Sequence, residues 1–334
     1  VTRTRYDHDR AGIAALLAGE PGYRVEQVWE GLHRHGRDPA EITTLPTALR
    51  ARLEDALVPA LREVSRVVAD GGATTKWLWE LHDGARIETV LMHYPDRATV
   101  CVSTQAGCAM ACSFCATGQA GFDRQLGVGE IVEQVVRARR AAARRVSNVV
   151  FMGMGEPLAN FDAVWAAVGR IHDDLGIGAR HLTLSTVGLV PGIRRLAAED
   201  LPVSLAVSLH AADDALRDRL VPVNRRYPLA ELMDACRDYV ARTGRRLSFE
   251  WAMISGVNDR FEDAERLAAL ARPLRAHVNL IPLNPTPGYA VIGSSGNRVR
   301  AFRDALVRHG VTTTIRDTRG ADVAAACGQL RGNA

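Results

Sequence analysis

The sequence predicts an α/β protein built on a mostly parallel sheet, and three features of its 334 residues predict it. From about residue 97 onward, short apolar runs alternate with amphipathic helical stretches, the pattern of parallel strands joined by right-handed crossovers. A content of 47% hydrophobic and 24% charged residues is that of an ordinary globular chain, long enough for one large domain with a smaller appendage. Glycine, serine and cysteine collect at the ends of the strand-like runs, where an α/β protein carries its chemistry.

Residues 1–65 read as short helices. Ile13, Leu16 and Leu17 share a face, Leu49, Leu53 and Leu57 repeat at helical spacing, and Pro21-Gly22, Gly36, Pro39 and Pro46 divide them. Lys76–Leu81 and Ile87–Leu91 read as a β-hairpin turning at Asp83-Gly84, within a connection spanning 66–96. Strands are expected at Ala98–Val102, Asn148–Met152, His181–Leu184, Val203–Leu209, Leu247–Ala252, Val278–Pro282 and Val311–Ile315. Helices such as Val128–Arg140, Leu229–Ala241 and Arg298–His309 lie between them. About six such units suggest an open or partial (β/α) barrel over 97–334, with a doubly wound open sheet as the alternative.

The net charge is only +4, and Lys76 is the only lysine among 42 basic residues. Arginine suits bidentate phosphate contacts and stacking on bases, but a GC-rich genome produces the same bias. The charge balance therefore permits a nucleic-acid substrate without demonstrating one. Arg137, Arg139, Arg140, Arg144 and Arg145 form one basic cluster, and His33, Arg34, His35 and Arg37 another; both offer phosphate contacts, and the first reads equally as a solvated helix end. No apolar run is long enough to cross a bilayer, and Val-Thr-Arg-Thr-Arg-Tyr-Asp at the start has no secretory stretch. The expectation is a cytoplasmic protein with no membrane partner.

Of six cysteines, Cys101, Cys108, Cys112 and Cys115 crowd into fifteen residues, while Cys236 and Cys327 lie apart. In a chain of this kind such crowding points to metal binding or redox catalysis rather than to disulfides. Cys108-Ala-Met-Ala-Cys112-Ser-Phe-Cys115 follows the first barrel strand directly. Three thiolates on one loop can hold three corners of a [4Fe–4S] cube and leave the fourth iron open, whereas electron-transfer clusters use four cysteines. An open iron can bind S-adenosylmethionine (SAM) through its amino and carboxylate groups, and reductive cleavage then yields a 5′-deoxyadenosyl radical. Structural zinc, the competing reading, prefers four ligands and C-x2-C pairs, and no second pair exists.

Other strand ends add to this. In Met152-Gly153-Met154-Gly155-Glu156-Pro157, small residues allow backbone to approach a ligand, and Glu156 is placed to pair with the SAM ammonium. Ser185, Ser208 and Asn284 end other strands, as polar groups for a ribose or the methionine carboxylate, and His210 is a further contact or a satisfied structural histidine.

Six motifs in one order then resemble the RlmN/Cfr family of radical-SAM RNA adenine methyltransferases. They are Cys101-Val-Ser-Thr-Gln-Ala-Gly-Cys108, Gly-Met-Gly-Glu-Pro-Leu, Leu-Ser-Thr-Val-Gly, Val-Ser-Leu209-His210, Pro-Leu-Asn284-Pro, and Arg-Gly-Ala-Asp-Val-Ala-Ala-Ala-Cys327-Gly-Gln-Leu. The resemblance implies a partial (β/α)6 radical-SAM barrel with a helical, RNA-binding N-terminal domain and a β-hairpin extension. It implies methylation of an adenine carbon in 23S ribosomal RNA and in some transfer RNAs, using two SAM molecules per turnover. Gly155, Glu156, Ser185, Ser208, Leu209, His210 and Asn284 would contact SAM. Cys327 would carry the methyl as S-methylcysteine and become linked through it to the RNA. Glu88 would take the ring proton, and Cys101 would attack Cys327, forming a disulfide and freeing the base. An electron donor such as flavodoxin and a thiol reductant would complete the cycle. Stretch 205–211 resembles the adenine-C2 branch more than the adenine-C8 branch tied to antibiotic resistance. A non-catalytic, zinc-stabilised RNA-binding protein is the alternative from another class. Cys236 has no matching role and reads as structural.

Overall fold

Apolar spacing and capping build the N-terminal helices α1 (Arg10–Leu16), α2 (Tyr23–Trp29) and α3 (Thr47–Ala56). Asp9 caps α1 by accepting the Gly12 amide at 2.7 Å. The computed structural model describes residues 3–284, 291–316 and 328–330 of the chain. Three antiparallel strands follow the helices: β1 (Arg62–Ala69), β2 (Thr74–Glu80) and β3 (Arg86–His93). The strand β1 begins inside the stretch whose sequence reads as helical. It is a sheet edge exposed along most of its length, so its side chains lack the apolar alternation that marks a strand. The turn at Asp83-Gly84 is where the sequence puts it, with Gly84 at φ +83°.

The hairpin does not stand apart from the barrel. Strand β3 pairs antiparallel with β4 (Ala98–Cys101), placing Val90 opposite Cys101. Two short strands, β5 (Gln105–Gly107) and β6 (Phe122–Gln125), pair with each other. The parallel series continues through β7 (Val146–Phe151), β8 (Leu182–Thr186), β9 (Ser204–Ser208), β10 (Ser248–Met253), β11 (His277–Pro282) and β12 (Thr313–Ile315). One ten-stranded sheet results, in the order β1-β2-β3-β4-β7-β8-β9-β10-β11-β12. Its two ends are not joined among the described residues, so the barrel is partial.

The crossovers are α4 (Ala116–Ala120), α5 (Val128–Ala141), α6 (Phe161–Asp173), α7 (Val190–Leu196), α8 (Asp214–Leu220), α9 (Leu229–Thr243), α10 (Phe261–Ala271) and α11 (Gly296–Arg308). Helix α6 shows the packing logic: Phe161, Val164, Ala167, Val168 and Ile171 recur every three or four residues and are buried. Each large side chain among them contributes about 1.5–3 kcal/mol. Strand alternation sends Phe249, Trp251 and Met253 of β10 toward the helices, where Trp251 stacks on Phe302 at 6.0 Å. Ser248, Glu250 and Ala252 are left facing the interior.

Helix α5 carries buried polar groups because it organises its surroundings. Gln134 accepts from Ser103 N–H at 2.8 Å and from the Thr89 hydroxyl at 2.9 Å, and donates to Ser103 C=O at 2.9 Å. The Ser103 hydroxyl donates to Glu88 C=O at 2.6 Å and accepts from Met154 N–H at 3.0 Å. The start of the cysteine loop is thereby tied to β3 and to the loop after β7. No helix among the described residues is long and apolar enough to cross a membrane.

Candidate active site

The three-cysteine loop follows β5, and Cys115 stands at the N-cap of α4. Cys112 is buried, and Cys108 and Cys115 are partly exposed. Burial pushes the Cys108 thiol up to about 12, with Cys115 and then Glu156 adding to it. Cys112 is raised by burial, then by Cys115, Cys108 and Glu156, and only Arg217 opposes. The three sulfurs therefore feel one another, and their joint ionisation is costly without cations among them. Yet among the described residues no three His, Cys, Asp or Glu side chains converge as ligands of a single ion do. Three thiols on one short loop suit three corners of a [4Fe–4S] cube.

Arg217 holds the neighbouring strand ends. Its buried guanidinium donates to Leu209 C=O at 3.1 Å, Ser208 C=O at 3.3 Å, Val187 C=O at 2.6 Å and the Asn224 side chain at 2.8 Å. Cys112 and Cys115 open onto a cleft of about 960 Å³, counting its mouth, at the C-terminal ends of the strands. Gly155, Glu156, Ser185, Ser208, His210 and Asn284 line it too, as the sequence leads one to expect. Leu209 is fully buried in the core and, among the described residues, is not in the lining of the cleft.

Glu156 is buried; its Oε1 accepts from Leu158 N–H at 3.0 Å and its Oε2 from Val187 N–H at 2.8 Å. Burial raises its pKa to about 7 against these donors, and no cation is paired with it among the described residues. A ligand ammonium would supply the missing charge. Gly155, at φ +103°, lets this loop approach: a Cβ there would stand 2.6 Å from Cβ of Gln105. Gly155→Ala is expected to destabilise the fold by about 2–4 kcal/mol, read as a lowered urea midpoint with unchanged slope.

His210 combines both readings of the sequence. It has φ +60°, its Nδ1 accepts from Ala252 N–H at 3.0 Å, and Phe114 packs edge-on at 4.6 Å. Burial lowers its pKa to about 3, so the ring is neutral and its Nε2 carries the proton. Sequence reasoning missed Glu250 and Arg316, which also line the cleft. Glu250 accepts from Asn279 at 2.8 Å and Ser248 at 3.0 Å; a single acid inside a strand reads as one more polar position.

Glu88 and Cys101 are buried but, among the described residues, are not in the lining of this cleft. Strand register puts them on one face of the sheet: Cys101 is opposite Val90, and Glu88 lies two residues from Val90. That face is turned away from α5, which binds the alternate residue Thr89. Cys327 lies outside the described residues. Its neighbour Gly328 accepts from Ala116 N–H at 2.7 Å, and Leu330 C=O accepts from the Thr117 hydroxyl at 2.6 Å, holding that part of the chain against the cysteine loop.

Several groups of the basic clusters are engaged inside the fold, and Arg140 ties the helical part to the barrel. Arg140 pairs with Asp38 and Glu41, Arg137 with Glu133, and Arg139 donates to Leu175 C=O. Arg144 donates to Tyr94 and Pro95 carbonyls, and His33 is buried in a stack on Trp29 at 3.9 Å. These groups serve the structure first. Cys236 is fully buried in the core, as its sequence context suggests.

The Radical SAM superfamily profile matches residues 102–269. A probable dual-specificity RNA methyltransferase RlmN of Salinispora tropica is 53% identical, covering 97% of this chain and 91% of its own length. The protein of the same name from Chloroflexus aurantiacus is 51% identical, covering 99% and 93%. Among solved structures, a radical SAM methyltransferase from Sphaerobacter thermophilus superposes with a TM-score of 0.95 at 50% identity, covering 99% of each chain.

Proposed function

The chain belongs to the RlmN family of radical SAM methyltransferases, and from that premise we propose that it methylates adenine C2 in 23S ribosomal RNA and in transfer RNA. One observation carries the reading at the level of the site: two thiols of the three-cysteine loop and a buried carboxylate without a cation partner among the described residues share one cleft.

Cys108, Cys112 and Cys115 would hold a [4Fe–4S] cluster. With SAM bound, this pair supplies the hydrogen abstraction that activates an otherwise inert methyl group. Glu156 binds the SAM ammonium, and Ser185, Ser208 and Asn284 bind its other polar groups. His210 can only donate from Nε2. Two SAM molecules serve each turnover, one as the methyl source for Cys327.

Poor nucleophilicity at an adenine ring carbon explains why the methyl is carried on sulfur. Glu88 takes the ring proton. The Cys101 thiolate then attacks Cys327 Sγ: an S–S bond forms, the S–C bond to the base breaks, and the carbon keeps the electron pair and takes up a proton. The two sulfurs are oxidised and the carbon reduced, so a thiol reductant must reset the pair. Flavodoxin or a similar donor supplies electrons.

The test is transfer of labelled methyl from SAM to 23S rRNA and tRNA transcripts by anaerobically reconstituted protein. Incorporation that requires a low-potential reductant supports the proposal. Incorporation without one would mean polar methyl transfer and would refute it.

Glu156 gives a second measurement. Its raised pKa means that the proton competes with a ligand cation below about pH 7. SAM affinity is therefore expected to rise with pH through that region, because the binding form is the carboxylate. Glu156→Gln should weaken SAM by about 10–100-fold at pH 8 and flatten the pH dependence; equilibrium binding to the cluster-loaded protein reads both.

A further inference from the structure

Lys76 is the only lysine in the chain, and all its other basic residues are arginine. It is not a surface residue. Its Nζ lies 3.3 Å from Glu88 Oε2, with the lysine side chain 14% and the glutamate 2% exposed. Strand register explains the meeting. Lys76 on β2 is opposite Val90 on β3, and Val90 is opposite Cys101 on β4. Lys76, Glu88 and Cys101 thus occupy one face across three neighbouring strands. The charged groups further along that face, among the described residues, are Arg62, Glu80 and Arg86, and Glu80 pairs with both arginines.

We propose that Lys76 is the positioning residue for Glu88: its ammonium, 3.3 Å from Oε2, keeps the buried carboxylate ionised and aimed, ready to accept a proton. The inference rests on Glu88 being the proton acceptor. A carboxylate so deeply buried would otherwise hold a proton of its own and could take no other. When the base's C–H bond breaks, the proton goes to a Glu88 oxygen and the electron pair stays with the ring. Lysine matters here because its ammonium is a compact point charge. A guanidinium would offer a planar fork and clamp both oxygens. That difference accounts for lysine at this one position in a chain otherwise furnished with arginine.

The experiment compares wild type, Lys76→Met, Lys76→Arg and Glu88→Gln in single turnovers over about pH 6–9. SAM cleavage, RNA–protein adduct and released methylated base are read separately. In cluster-free protein without RNA, the Glu88 carboxyl band is followed by infrared spectroscopy, with Glu88→Gln as the blank. Lys76→Met should slow product release about 10–100-fold near neutral pH, leave SAM cleavage within about twofold, and move the acid limb and carboxyl band up by about one pH unit or more. Lys76→Arg should slow release without moving either. Wild-type rates and pH profile in Lys76→Met would overturn the proposal, and full rescue by arginine would overturn the preference for a compact ammonium. If Lys76→Met fails to fold, Lys76→Gln carries the same comparison. Normal product release by Glu88→Gln would instead defeat the proton-acceptor reading, so the two failures are told apart.

Discussion

Cys112→Ala protein, purified without oxygen, is expected to be colourless, to hold iron only at background level, and to cleave no SAM. The effect on methyl transfer should exceed about a hundredfold, because it removes the cofactor rather than adjusting it. Cys112 is the buried member of the three thiols and the one most hemmed in by the other two. Two thiolates left on the same loop would not retain a cube. Cys236→Ala is the control: it sits in the hydrophobic core away from the loop and should cost stability without loss of colour. Iron analysis and the visible spectrum of both proteins check this directly. A brown, iron-replete Cys112→Ala protein would contradict the ligand assignment.

The second large effect is expected from Cys101→Ala. Released methylated base should fall by at least about a hundredfold, while SAM cleavage on first exposure to RNA stays within about threefold. RNA should remain attached to the enzyme, visible as a protein band of raised mass that nuclease digestion collapses. The prediction follows from the separation of duties. Cys101 lies on β4 beside Val90 and is not in the described lining of the cleft, so its loss removes a nucleophile without disturbing the cofactor site. Cys327→Ala should also release no product but form no adduct, since the linking sulfur is gone. Adduct in Cys327→Ala, or normal release by Cys101→Ala, would reverse or remove the assigned roles.

Much of the site was legible because it is local in sequence. The spacing of Cys108, Cys112 and Cys115, and the cluster of Gly153, Gly155 and Glu156 after an apolar strand, state their chemistry within a few residues. The parallel barrel was legible for the same reason, its strands carrying short apolar runs such as Val149–Phe151. What escaped was non-local or lacked periodicity. Strand β1 is an exposed edge with Val67 and Val68 facing solvent, so nothing in its pattern separates it from the helices before it. The contact of Lys76 with Glu88 depends on a register in which Leu78, not Lys76, is opposite Glu88, and no reading of either strand alone supplies it. Glu88 and Cys101 themselves came from resemblance, because a strand acid and a small buried thiol are commonplace. The arginines of α5 read in sequence as phosphate contacts or a solvated helix end; in the fold Arg140 pairs with Asp38 and Glu41 of the N-terminal part, and Arg137 with Glu133 of α5 itself.

The most direct measurement is analysis of the nucleosides of 23S rRNA after incubation with the reconstituted enzyme, SAM and a reductant, by mass spectrometry against authentic standards. The account predicts 2-methyladenosine, formed by wild type and absent with Cys112→Ala. Methyl groups found only at adenine C8, or none at all while SAM is still consumed, would contradict it.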